Sequence, residues 1–170
     1  MRSVRAVSRK IPTVEFEYFL TQTARYCGVL HGRSVMALLT WNPDMSVGVR
    51  VLDEDHKKLI AMINELHASM LQGHSHEVVG GVLRRLANYT VEHFQREEKL
   101  FAQTGYPAAA GHKREHEKLK AQVMAEIQKF QAGSASIGME TLTFLRDWLK
   151  HHIQESDKAY GPHLNSHGVN

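Results

Sequence analysis

The chain has twelve histidines, against five tyrosines and six phenylalanines. Imidazole is a frequent metal ligand and the side chain best suited to carry a proton near neutral pH. Where these residues fall therefore matters more than their number. Seven ligand-type residues sit in patterned surroundings: His56 in DEDHKKL, His93 and Glu97 in YTVEHFQREEKL, His112 and His116 in GHKREH, and His152 and Asp157 in WLKHHIQESD. In a helix, residues four apart share one face. That spacing lets His93 and Glu97 reach one metal centre together, and likewise His112 and His116. The single cysteine, Cys27, can form no disulfide within the chain and excludes a cysteine-built metal site.

Taken one at a time these signals are weak. A lone histidine such as His56 is more often a surface or satisfied core residue than a ligand. Glu97 and Glu98 together read as a solvated face, and Asp157 as a surface residue near a helix end. The set is stronger, because each of four patterned segments supplies at least one ligand-type residue beside apolar positions. His152 and Asp157 are the awkward pair. Five residues turn about 500°, leaving about 140° between them on a regular helix. The spacing predicts a π-type bulge or other local distortion between them, of the kind often found at functional sites.

The elements that must position these residues follow from apolar spacing. Residues 41–50, WNPDMSVGVR, read as an extended arm, with Pro43 and Gly48 as breakers. Leu52, Leu59, Ile60, Ile63, Leu66 and Met70 recur at three- and four-residue intervals and predict a first helix ending at Gly73. Further helices are expected over about 77–104, 108–131 and 136–160, with breaks at Gly105-Tyr106-Pro107, Ala132-Gly133-Ser134 and Gly161-Pro162. Four amphipathic segments with short links imply an all-α fold, an antiparallel up-down four-helix bundle with an extended N-terminal arm. No strand is expected beyond the arm.

Charge divides the chain at Met36. Residues 1–35 hold six Lys/Arg and two acids; residues 36–170 hold 15 basic and 16 acidic side chains. The formal charge of +3 thus belongs to the N-terminal stretch. The bundle has no excess that would attract nucleic acid. No apolar run approaches the roughly 18 residues that membrane insertion needs. Three readings of the first 35 residues stay open: a disordered or loosely docked extension, a partner-binding arm, or an over-extended start preceding a true beginning at Met36. The expected organisation is an extension over 1–40, a bundle over 41–160 and a mobile tail over 161–170.

The strings WNPDMSVGVRVLDEDHKKL, YTVEHFQREEKL, GYPAAAGHKREHEKL and WLKHHIQESD resemble the hemerythrin family, in particular its bacterial single-domain members. The resemblance spans residues 41–160. It implies that His112, His116 and His152 bind one iron and His56 and His93 a second. Glu97 and Asp157 would bridge both. Two six-coordinate irons offer twelve positions. Five imidazoles, two bridging carboxylates and a bridging oxo or hydroxo group fill eleven of them. The open position lies on the iron held by His56 and His93, and the resemblance implies that O2 binds there reversibly.

Leu59, Phe94, Trp148, Leu149 and Ile153 are expected to wall a dry O2 pocket. The ligand imidazoles need outer hydrogen-bond partners, for which Glu92, Glu115 and Tyr89 are candidates. The implied role is oxygen storage or delivery to an oxygen-consuming enzyme by a cytoplasmic monomer, without catalytic residues. A sensor of O2, nitric oxide or redox state, and a di-iron oxidase or peroxidase, are the alternatives. Enzymes that activate O2 usually have carboxylate-rich di-iron sites, and only two carboxylates are present here.

Overall fold

A computed structural model describes residues 36–133 and 138–170. The expectations for residues 1–35, and for a helix start at Ser136, lie outside the described residues. A 3-10 turn, Pro43–Met45, lies in the arm, followed by α1 (Arg50–Leu71), α2 (His76–Thr104), α3 (Ala109–Gln131) and α4 (Met139–His152). A π-helical turn, Ile153–Asp157, carries the fourth rod on into α5 (Lys158–Ser166). The described residues contain no strand. The architecture is the expected all-helical bundle, and no helix among the described residues is long and apolar enough to cross a membrane.

The helices start and stop for local reasons. Ser75 caps α2 by accepting the Val78 amide on its hydroxyl. Gly105 ends α2 in the left-handed region at φ 67°, which glycine adopts without steric cost. Val49, at the start of α1, has no capping side chain. Asp53 in the first turn reaches back instead, accepting the Val47 amide at 2.8 Å and the Ser46 hydroxyl at 2.6 Å. These bonds tie the arm to α1. Upstream, Asn64 accepts the Leu38 and Leu39 amides and donates to the Leu39 carbonyl. The last residues of the expected 1–40 extension are therefore fastened to the bundle.

The fourth rod does not end at Gly161-Pro162, and the tail expected from residue 161 is helical through Ser166. Gly161 has a different purpose from the stop that the sequence suggested. A Cβ placed there would lie 2.2 Å from the Val47 carbonyl oxygen, so only glycine lets the arm cross α5 this closely. Leu164 is fully buried one turn on, and Asn165 donates to the Gly48 carbonyl at 2.8 Å. Pro162 is exposed and gives up one backbone donor without breaking the rod.

Two apolar clusters result. The larger includes Leu59, Ile63, Leu83, Leu142, Leu149 and Ile153. The smaller holds Val47, Val49, Leu52, Phe101, Tyr160 and Leu164. Along α1, His56 falls between Leu52 of one cluster and Leu59 of the other. Along the fourth rod, Asp157 falls between Ile153 and Tyr160. The ligand-type residues thus form a polar layer between two apolar ones.

Candidate metal centre

All seven ligand-type residues converge on this layer, and all are buried: His56, Glu97, His116 and Asp157 are 0% exposed. They form two groups whose donor atoms lie within 4.8 Å of one another. One is Glu97, His112, His116 and His152; the other is His56, His93, Glu97 and Asp157. The π-helical turn anticipated from the five-residue spacing is present between His152 and Asp157. Its extra residue per turn brings both side chains inward.

The two carboxylates divide their oxygens. Glu97 Oε1 lies 3.5 Å from His93 Nε2, whereas Oε2 lies 3.1 Å from His116 Nε2 and 3.6 Å from His112 Nε2. Asp157 Oδ2 lies 3.1 Å from His56 Nε2. Its Oδ1 lies 3.1 Å from His152 Nε2 and 3.3 Å from His112 Nε2. Each carboxylate therefore faces one set of imidazoles with one oxygen and the other set with the second.

The donor set fits metal ions. Two ligand atoms about 2.1 Å from one ion and at right angles to each other stand about 3 Å apart, close to the separations just given. Among the described residues the Nε2 atoms of His56, His112, His116 and His152 are buried without hydrogen-bond partners, as are Glu97 Oε2 and both Asp157 oxygens. Seven unpartnered buried polar atoms in one layer would be costly if left so. Bound cations would satisfy them. Mixed imidazole and carboxylate donors suit iron or manganese better than a closed tetrahedral zinc site.

Proton affinities point the same way. Burial pushes His56 down to about 4 and His152 down to about 2, and lowers His93. These three imidazoles are neutral at pH 7, as ligation requires. Burial also lowers His112, but the nearby Glu97 carboxylate, with Asp157, outweighs it and raises the group overall. Burial raises Asp157 well above the usual carboxylate range, and the Glu97 charge adds to this. Burial opposes ionisation of Glu97 too, but His93, His112 and His116 outweigh it and hold Glu97 well below that range. Without metal, then, burial and the neighbouring Glu97 disfavour the ionised form of Asp157; dications remove the conflict.

Tyr160, fully buried, donates to Glu97 Oε1 at 2.7 Å. Burial, with the Asp157 and Glu97 charges, raises its phenol well above the ordinary value, so it stays a donor. Of the proposed outer partners, Glu115 lies 3.2 Å from His152 Nδ1. Tyr89 acts one step removed: it donates at 2.6 Å to Asp55, whose other oxygen faces His93 Nδ1 at 3.5 Å. Glu92 is exposed on the outside of α2. Asp55, Glu98 and Tyr160 did not emerge as partners from the sequence. Each meets its imidazole or carboxylate across helices, which spacing along the chain does not reveal.

Beside His93 and His152 lies a cavity of about 30 Å³, room for one or two molecules the size of water. Of the residues named for the pocket, Leu59, Phe94, Trp148 and Leu149 line this cavity, joined by Ile63 and Leu119 among others. Ile153 does not. It follows His152 by one residue, so it points about 100° away and is fully buried in the packed cluster. Phe94 stacks on His116 with ring centroids 3.6 Å apart, and Trp148 on His152 at 4.3 Å. Both pocket residues thereby also hold imidazoles in place.

The family model described as the hemerythrin HHE cation binding domain matches residues 47–164. A bacteriohemerythrin of Methylococcus capsulatus is 41% identical over 133 residues, covering 77% of this chain and 100% of that protein. One of Stenotrophomonas maltophilia is 39% identical over 132 residues, covering 78% and 85%. A crystal structure of wild-type hemerythrin superposes with a TM-score of 0.72 at 39% identity, covering 75% of this chain and 98% of that one. The fold, the buried donor layer and these likenesses agree: the chain belongs to the hemerythrin family of cation-binding four-helix bundles.

Proposed function

We propose that this protein binds O2 reversibly at a di-iron centre. His112, His116 and His152 would hold one iron, His56 and His93 the other, and Glu97 and Asp157 would bridge them. The observation that carries this reading is the division of each carboxylate's oxygens between the two imidazole sets. A single-ion site gives no reason for both carboxylates to straddle. Two ferrous ions would supply an open coordination position and the electrons that O2 binding draws on.

The chain's own residues favour binding over turnover. Leu59, Phe94, Trp148 and Leu149 keep the cavity small and apolar, which limits water at the ligand position. The polar Thr90 in its wall gives its hydroxyl proton to the Leu86 carbonyl at 2.8 Å. Tyr160 gives its proton to Glu97 on the far side of the donor layer. Among the described residues the cavity wall therefore offers no free acid to release a reduced oxygen species. This supports an O2 store or carrier feeding an oxygen-consuming enzyme over an oxidase.

Metal analysis with gas titration tests the reading. The account expects two irons per chain and one O2 taken up per two irons. One iron per chain, or steady O2 consumption with a reductant present, would overturn it.

A further inference from the structure

The outward nitrogens of the five imidazoles are supported unequally. His116 Nδ1 faces Glu98 at 3.3 Å, and His152 Nδ1 faces Glu115 at 3.2 Å. Both carboxylates are partly in solvent, with side chains 24% and 47% exposed, and each has a surface partner: Lys113 at 3.1 Å for Glu98 and the Ser156 hydroxyl at 2.6 Å for Glu115. The other side of the centre differs. Among the described residues His56 Nδ1 is buried with no hydrogen-bond partner. His93 Nδ1 faces Asp55, whose side chain is 4% exposed.

Asp55 is thus the one outward carboxylate serving the His56 and His93 pair among the described residues. A buried carboxylate persists only when its oxygens are satisfied. Here Tyr89 donates to Oδ1 at 2.6 Å, and the Arg96 guanidinium pairs with Oδ2, the oxygen that faces His93. Three helical positions, 89, 93 and 96, lie on one face of α2 at three- and four-residue spacing. Both clamps and the imidazole they serve therefore move as one body. The buried charge also acts with little solvent screening, unlike those of Glu98 and Glu115.

We infer that Asp55, clamped by Tyr89 and Arg96, is the positioning residue that secures the metal on the His56 and His93 side. It holds the Nδ1 proton of His93 outward and so keeps the Nε2 lone pair aimed at the metal. Because His56 has no such partner among the described residues, occupancy of this side depends on the single Asp55 contact, while the three-imidazole side has two. The inference rests on the two-metal reading above.

The test is anaerobic Fe(II) titration of the full chain against a competing ferrous chelator, with melting of the metal-free proteins alongside. Wild type is expected to hold two irons. Asp55→Asn should hold one iron as tightly as wild type and the second 10- to 100-fold more weakly, the range typical of lost outer-sphere partners. Tyr89→Phe keeps the carboxylate and should weaken the second iron several-fold; it carries the test if Asp55→Asn fails to fold. Glu98→Gln should leave that second, weaker site unchanged. A merely structural network would lower the melting temperature of the metal-free protein and leave the ratio of the two affinities alone. That outcome, or equal weakening of both irons, would overturn the inference. Failure of wild type to take up two irons would instead overturn the two-metal reading.

Discussion

On one side of the donor layer, Leu59 and Leu149 belong to the large apolar cluster and leave a cavity of about 30 Å³ against His93 and His152. On the other, Phe101, Tyr160 and Leu164 pack under the arm, and the Tyr160 hydroxyl is already committed to Glu97. The two sides bury similar chemistry but use it differently. The arm side is closed by backbone approaching backbone at Gly161 and fixes a bridging carboxylate. The cavity side is left slightly underfilled, where a small ligand can sit. Ligand access and ligand-layer rigidity are thus separated in space.

The largest effect should come from removing the layer itself. His112 lies near oxygens of both carboxylates, so His112→Ala should abolish tight metal binding. It should also remove the stabilisation that bound metal gives the fold, several kcal/mol at saturating metal. Metal analysis and melting with and without chelator check this; a variant that still holds two irons would remove His112 from the ligand set. On the arm side, Gly161→Ala meets the Val47 carbonyl and should cost about 1–3 kcal/mol, the usual range for overpacking. Urea unfolding reads it directly, and an unchanged midpoint would mean that the arm yields freely.

A pH dependence sharpens the comparison next. The unfolded chain binds a proton at His56 below about pH 6.5, whereas the folded metal-free protein does so only near 4. His56 therefore contributes stability that is full above pH 6.5 and is lost as pH falls toward 4. From pH 7 to 5 this is on the order of 2 kcal/mol. His112 and Asp157, shifted the opposite way, oppose that slope, so the informative quantity is a difference. Metal-free His56→Leu should lose less stability than metal-free wild type between pH 7 and 5; equal losses would contradict the burial argument. The smallest effect on stability, but a direct one on the ligand, belongs to the cavity side. Leu149→Tyr should leave two irons bound and change the decay rate of the oxygenated form several-fold. An unchanged rate would place Leu149 outside the ligand's surroundings.

Much of this was legible in the chain. The helices follow from apolar spacing to within a few residues, and the five-residue gap from His152 to Asp157 foretold the π-helical turn. Two ligand pairs, His93 with Glu97 and His112 with His116, leave a four-residue trace; His56, His152 and Asp157 leave none, and joined the set through the resemblance of their surrounding strings to a known family. Asp55 left none. Its neighbours Tyr89, His93 and Arg96 are 34 to 41 residues away, and a contact between helices has no signature in one sequence. Gly161-Pro162 misled for a related reason. The pair reads locally as a stop, but its glycine answers to a carbonyl more than a hundred residues earlier.

The most direct test of the central claim is a cycle of O2 binding and removal. The iron-loaded protein is reduced without air, exposed to O2, and then swept with inert gas while the visible absorption of the centre is followed. The account predicts a spectrum that appears with O2, vanishes on its removal, and returns through repeated cycles. A single passage to a stable oxidised form that inert gas does not reverse would contradict it.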